Sequence, residues 1–185
     1  SGSSNEAFFH SFSSECSIMS TKYLGNRFDI HGGGMDLKFP HHECEIAQNV
    51  AAHKVEKTVN YWIHGNMLTV NGRKMSKSEG NGFTPEELIT GNHKLLERGY
   101  SPMTVRFFML MGHYGSTLDF SNDALIAAEK GLSKLTKAVE TLQKLQATEK
   151  ENKEISVSDL SEKCYAAMND DFNTPVLIAS LFEGV

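Results

Sequence analysis

Apolar residues keep mixed spacings up to about residue 114 of this 185-residue chain and settle into a helical period from about residue 122. Ile18, Met19 and Tyr23 predict a short helix over 16–23, stopped near Gly25, and 27–30 reads as a brief strand ending in a loop that begins at His31. Pro40 suits the first position of a helix whose apolar face, Ile46, Ala47, Val50 and Ala51, recurs up to about His53. Residues 58–63 are rich in β-formers, and 67–70 followed by Asn71-Gly72 predicts a hairpin that leads into a mobile, solvent-facing loop at Lys74. Thr84-Pro-Glu-Glu87 is a capping pattern, and Ser101-Pro102 opens a helix through Phe107, Phe108 and Leu110 that ends at Gly112.

Beyond Asn122 the pattern is helical throughout. Leu125, Ala128, Leu132, Leu135, Val139, Leu142 and Leu145 are spaced by threes and fours up to about Ala147, the seam of a helical bundle. A charged linker over 150–153 precedes a helix marked by Leu160, Cys164 and Met168, and Asn173-Thr-Pro175 starts a last one. The change of pattern between Tyr114 and Phe120 puts a domain boundary at 118/119. On this reading 1–118 is an α/β region, and 119–185 is the start of a bundle that Val185 cuts short.

Composition narrows the class only a little. Hydrophobic residues make up 39% of the chain, enough for a buried core. No run approaches a membrane span, and Ser1 to Ser14 lacks the basic start and apolar centre of an export signal, so a cytoplasmic location is expected. Ser1-Gly-Ser-Ser-Asn5 is low in complexity and reads as a frayed end, while Phe8, Phe9 and Phe12 are apolar enough to dock. Three cysteines, Cys16, Cys44 and Cys164, are odd in number and irregular in spacing, which argues against a disulfide framework. The net charge of −5 gives no global pull on a polyanion, leaving local patches such as Lys54 and Lys57, or Arg73, Lys74 and Lys77.

Candidate chemistry concentrates in His31-Gly-Gly-Gly-Met-Asp-Leu-Lys-Phe-Pro-His-His-Glu-Cys-Glu45 and in Lys74-Met-Ser-Lys-Ser78. His41 and Glu45 are four apart and share a helix face, whereas His42 and Cys44 point elsewhere. With Cys16 they make three ligands of zinc-compatible type, or equally an i,i+4 polar pair beside a buried thiol. Glycines 32–34 form either a plain turn or a loop where backbone approaches a nucleotide, with Asp36 placed to accept ribose hydroxyls and His31 at the strand end facing the same crevice. Lys74 and Lys77 lie on a loop followed by Gly80-Asn81-Gly82, which would let it swing; two lysines there suit phosphate chemistry.

Taken with the intervening Tyr61-Trp62-Ile63-His64, these two motifs closely resemble the cysteinyl-tRNA synthetase family of class I aminoacyl-tRNA synthetases, from about Cys16 to the end. The resemblance implies the second half of a Rossmann-type catalytic domain followed by an α-helical bundle on the anticodon side, to which Asp170-Asp-Phe-Asn-Thr-Pro175 is also similar. It implies ATP-dependent activation of cysteine and transfer to tRNA(Cys) by a monomer, with Mg2+ accompanying ATP. By motif position it puts Zn2+ on Cys16, His41 and Glu45, ATP on Lys77, Gly34 and Asp36, the amino acid beside His31, and transition-state charge on Lys74 and Lys77. The family's HIGH motif and its first zinc cysteine lie upstream of anything present, so the segment alone is expected to be inactive. Where the family has Trp-His-x-Glu-Cys, this chain has Phe12-Ser-Ser-Glu15-Cys16. A ligase joining cysteine to an amino sugar would share the same motifs, and a noncatalytic fragment binding zinc or a partner is the reading from outside catalysis.

Overall fold

The computed structural model describes residues 3–76, 78, 80–146 and 156–184, with side chains from residue 13 onward. It divides into two compact units, Ser1–Met67 and Leu68–Val185. The expected boundary at 118/119 therefore falls inside the second unit, within a strand. Among the described residues no helix is long and apolar enough to cross a membrane.

In the first unit, helix α1 (Ser3–Leu24) is far longer than the segment 16–23 expected for it. No Gly or Pro interrupts it from Asn5 to Leu24, and Gly25, in the left-handed region at φ 88°, ends it. Strand β1 (Phe28–Gly34) then extends through the glycines that the sequence reading took for a loop. They are strand because β2 (Val59–Gly65) pairs with them in parallel, Gly32 opposite Ile63, Gly33 opposite His64 and Gly34 opposite Gly65. Helix α2 (Glu43–His53) makes the crossover. It begins after a wide turn from Lys38 to His42 and ends at Lys54, which is left-handed at φ 52°.

The face of α2 that turns inward is not the apolar one. Glu45 and Asn49 are buried, together with His41 and His42 just before the helix, while Ile46 and Val50 are half-buried and Ala47 and Ala51 exposed. The interior opposite is itself polar, formed by Ser13, Ser17 and Thr21 of α1, so hydrogen bonding rather than hydrophobic period selects the face.

The second unit is conventionally apolar inside. Strands β3 (Leu68–Val70), β4 (Arg73–Lys74) and β5 (Leu118–Phe120) form a sheet in the order β4-β3-β5, antiparallel then parallel. Asn71 and Gly72, both left-handed, make the expected hairpin turn. Helix α3 (Pro85–Thr90) starts on the capping box of Thr84 and Glu87, α4 (Pro102–Leu110) on Ser101, and α5 (Asn122–Lys144) on Ser121. Val70, Leu88, Tyr100, Phe107, Phe108, Phe120, Leu125 and Ala128 are the core.

The α5 stripe packs only along its first half. Leu125 and Ala128 are fully buried and Leu132 and Leu135 lean on the core, but Val139, Leu142 and Leu145 are at least half exposed. Helices α6 (Val157–Asn169) and α7 (Thr174–Glu183) pack on each other, and α7 reaches the core through Ile178 and Phe182. The expected linker at 150–153 lies outside the described residues.

Candidate functional site

A ladder of hydrogen bonds aligns α1 with α2. Ser13 Oγ lies 3.0 Å from His41 Nδ1, Asn49 donates to Ser17 Oγ at 3.3 Å, and Thr21 donates to Asn49 Oδ1 at 3.4 Å and lies 3.2 Å from His53 Nε2. Cys16 sits between Ser13 and Ser17 on one side of this ladder, and Glu45 between His41 and Asn49 on the other. The alignment brings one ligand atom each from Cys16, His41 and Glu45 within 4.8 Å of one another. These are the three residues expected for a metal.

Glu45 is 1% exposed, and among the described residues neither of its oxygens completes a hydrogen bond. His41 Nε2 faces Oε1 at 2.8 Å and His31 Nε2 faces Oε2 at 3.7 Å. Burial pushes the carboxyl up to about 7, lowers His41, and raises the Cys16 thiol, with the Glu45 and Glu15 charges adding to the rise. The cluster thus gathers N, O and S donors, and among the described residues no Lys or Arg is paired with Glu45. A divalent ion is the group that would offset the carboxylate and favour the thiolate, so the residues present fit zinc.

His42 is the residue that the sequence reading missed. It is buried, its Nδ1 is 2.8 Å from His64 Nε2, and with His31 and Glu45 it forms a second group of donors within 4.8 Å. Burial, then the His31, His64 and His41 charges, lower its pKa to about 4. His31 is lowered by burial first and by His41 and His64 next. Trp62 stacks on His31 with centroids 4.5 Å apart and lies parallel to His64 at 6.3 Å. The signal available in the sequence was Pro40 before His41-His42: a wide turn at a helix start lets two adjacent side chains both point inward, which a regular helix forbids.

Close approach demands a glycine at position 33 and favours one at 34. A Cβ on Gly33 would stand 2.7 Å from His42 Cε1 and 3.1 Å from Leu37 Cδ1, and one on Gly34 would overlap the Asp36 carboxylate. Asp36 itself is exposed, so its carboxylate is open to a ligand. In the second unit, Lys74 ends β4 with an exposed side chain. Lys77 lies outside the described residues.

The fold and the donor cluster define a class. Residues 11–130 match the family described as the tRNA synthetases class I (C) catalytic domain, and the chain belongs to that family. Residues 163–185 match the DALR domain. The chain is 57% identical over 176 residues to a cysteine–tRNA ligase of Bacteroides thetaiotaomicron, covering 95% of this chain and 36% of that protein. It is 59% identical over 173 residues to one of Cytophaga hutchinsonii, covering 91% and 35%. A third, of Bacteroides fragilis, is 56% identical over 176 residues, covering 95% and 35%. The chain thus spans about a third of the length of the curated relatives it matches.

Proposed function

We propose that this chain is part of a cysteine–tRNA ligase that activates cysteine with ATP and transfers it to tRNA(Cys) in the cytoplasm, as a monomer. The observation that carries the reading is the convergence of Cys16, His41 and Glu45 on one point in a chain of the class I synthetase family. The catalytic-domain match over residues 11–130 and the DALR match over 163–185 support a chain that contributes first to the catalytic domain and then begins the helical domain on the anticodon side. The match at 163–185 supports tRNA rather than an amino sugar as the acceptor.

Cys16, His41 and Glu45 would hold Zn2+, which supplies affinity for a thiolate that a hydroxyl cannot match, so serine is rejected without an editing step. Ser13 keeps the His41 ring turned with Nε2 toward Glu45. His31, stacked on Trp62, borders the amino acid. Asp36 accepts the ribose hydroxyls of ATP beside Gly34, where the missing side chain leaves room for its carboxylate. As the cysteine carboxylate attacks the α-phosphorus and pyrophosphate leaves, Lys74 and Lys77 meet the negative charge that builds on the phosphate oxygens, with Mg2+ accompanying the nucleotide.

Amino-acid-dependent exchange of pyrophosphate into ATP, by the full-length protein that carries this segment, tests the reading. Exchange with cysteine and not with serine supports it. Exchange with neither would replace it with a binding role.

A further inference from the structure

We infer that Asn81 is a positioning residue that fixes the backbone at Lys74 and Ser76, where the lysine loop begins; the inference rests on the phosphate-facing role proposed for Lys74. In the sequence this asparagine reads as the middle of a glycine hinge. In the structure it is 8% exposed, and its amide group bridges two points of the loop before it. Asn81 Oδ1 accepts from Ser76 N–H at 2.8 Å, and Asn81 Nδ2 donates to the Lys74 carbonyl at 3.0 Å.

Lys74 closes an edge strand, so β3 holds its backbone on one side only; Asn81 serves the other side. Gly80, left-handed at φ 59°, turns the chain so that the next side chain folds back. The task needs one acceptor and one donor on a single planar group, which Asn has and Asp, Ala and Gly lack. The stem is anchored separately: Asp119 Oδ1 accepts from Thr69 Oγ1 at 2.7 Å and from Gly72 N–H at 2.8 Å. Loss of the Asn81 bridge therefore frees the loop without undoing the hairpin. A cation carried on a freed loop must be ordered anew in each turnover, and misplacement of about 1 Å can cost about 10²-fold in rate.

Two measurements on Asn81→Ala and Asn81→Asp test this. Amide hydrogen exchange on the full-length protein that carries this segment needs no activity. Ser76 N–H is expected to exchange at least about tenfold faster in Asn81→Ala and to stay protected in Asn81→Asp, which keeps the acceptor, while Gly72 N–H exchange holds steady. Cysteine-dependent pyrophosphate exchange by the full-length protein is expected to fall about 10²-fold in kcat in Asn81→Ala with cysteine KM unchanged, and also to fall in Asn81→Asp, which cannot donate to Lys74. Unchanged Ser76 exchange would overturn the bridge. Faster Ser76 exchange with unaltered kcat, or equal losses in kcat and affinity, would overturn the positioning role. If the unsubstituted protein exchanges no pyrophosphate, the positioning role falls with the proposed reaction, and the Ser76 data show that the fault lies in the reaction and not in the bridge.

Discussion

Replacing Glu45 by Gln in the metal-free chain tests the electrostatic argument for the donor cluster. Glu45 is almost fully buried, and burial raises its pKa from the usual 4.5 to about 7. The folded chain therefore binds this proton more tightly than the unfolded chain does. The stability associated with the protonated group is complete below about pH 4.5 and is lost as pH rises through 7, and a gap of that size is worth about 3 kcal/mol. His42 acts in the opposite sense: its pKa, lowered to about 4, gives stability that is complete above 6.5 and lost as pH falls toward 4. The two windows overlap, so the wild-type curve alone cannot separate them. The difference between wild type and Glu45→Gln can, because the Glu45 charge is not among the causes that lower His31, His41 or His42. Protonated Glu and Gln are close in shape, and the two proteins should be equally stable near pH 4.5. By pH 8 Glu45→Gln should be the more stable by up to about 3 kcal/mol. The assay is urea unfolding with a chelator present, followed by the fluorescence of Trp62, the chain's one tryptophan, which stacks on His31. A difference that stays flat from pH 5 to 8, or a Gln variant that is weaker at pH 8, would refute the reasoning. Added Zn2+ at about 1,000 times its Kd for the wild type should reverse the order, since a ligand at that excess adds about 4.1 kcal/mol to the protein that binds it.

Other perturbations reach the remaining parts. Gly33→Ala drives a methyl into His42 and should cost about 1–3 kcal/mol in urea unfolding; a neutral result would mean the ring moves aside freely. Cys16→Ser should abolish the thiolate charge-transfer absorption of the Co2+-loaded chain, and its persistence would remove Cys16 from the ligand set. Leu125→Ala, at a fully buried position, should lose about 3 kcal/mol or more, whereas Val139→Ala, half exposed on the same stripe, should lose less than about 1 kcal/mol. Lys74→Ala should slow pyrophosphate exchange by about 10²–10³-fold if the lysine meets phosphate charge.

What could be read from the sequence follows the range of the interactions concerned. The capping box of Thr84 and Glu87 and the Asn71-Gly72 turn are local chemistry, written within four residues, and both stand where expected. The pairing of Glu45 with His41 is local as well. The glycines of β1 read as a loop because only the parallel partner, some thirty residues on, makes them strand. The inner face of α2 was misread because its partners on α1 are hydroxyls, and a hydrophobic period carries no information about an interior that is polar. His42 escaped notice through an irregular turn, and Asn81 because an amide bonding back across several residues leaves no periodic trace.

Glu45 belongs to both donor groups, with one oxygen toward His41 and the other toward His31. Were each side to hold a ligand, their occupancies would be linked, and reciprocally: whatever binding beside Cys16 did to affinity at His31, binding at His31 would return by the same factor. A substitution that moves this one carboxylate therefore changes both donor groups in the same step.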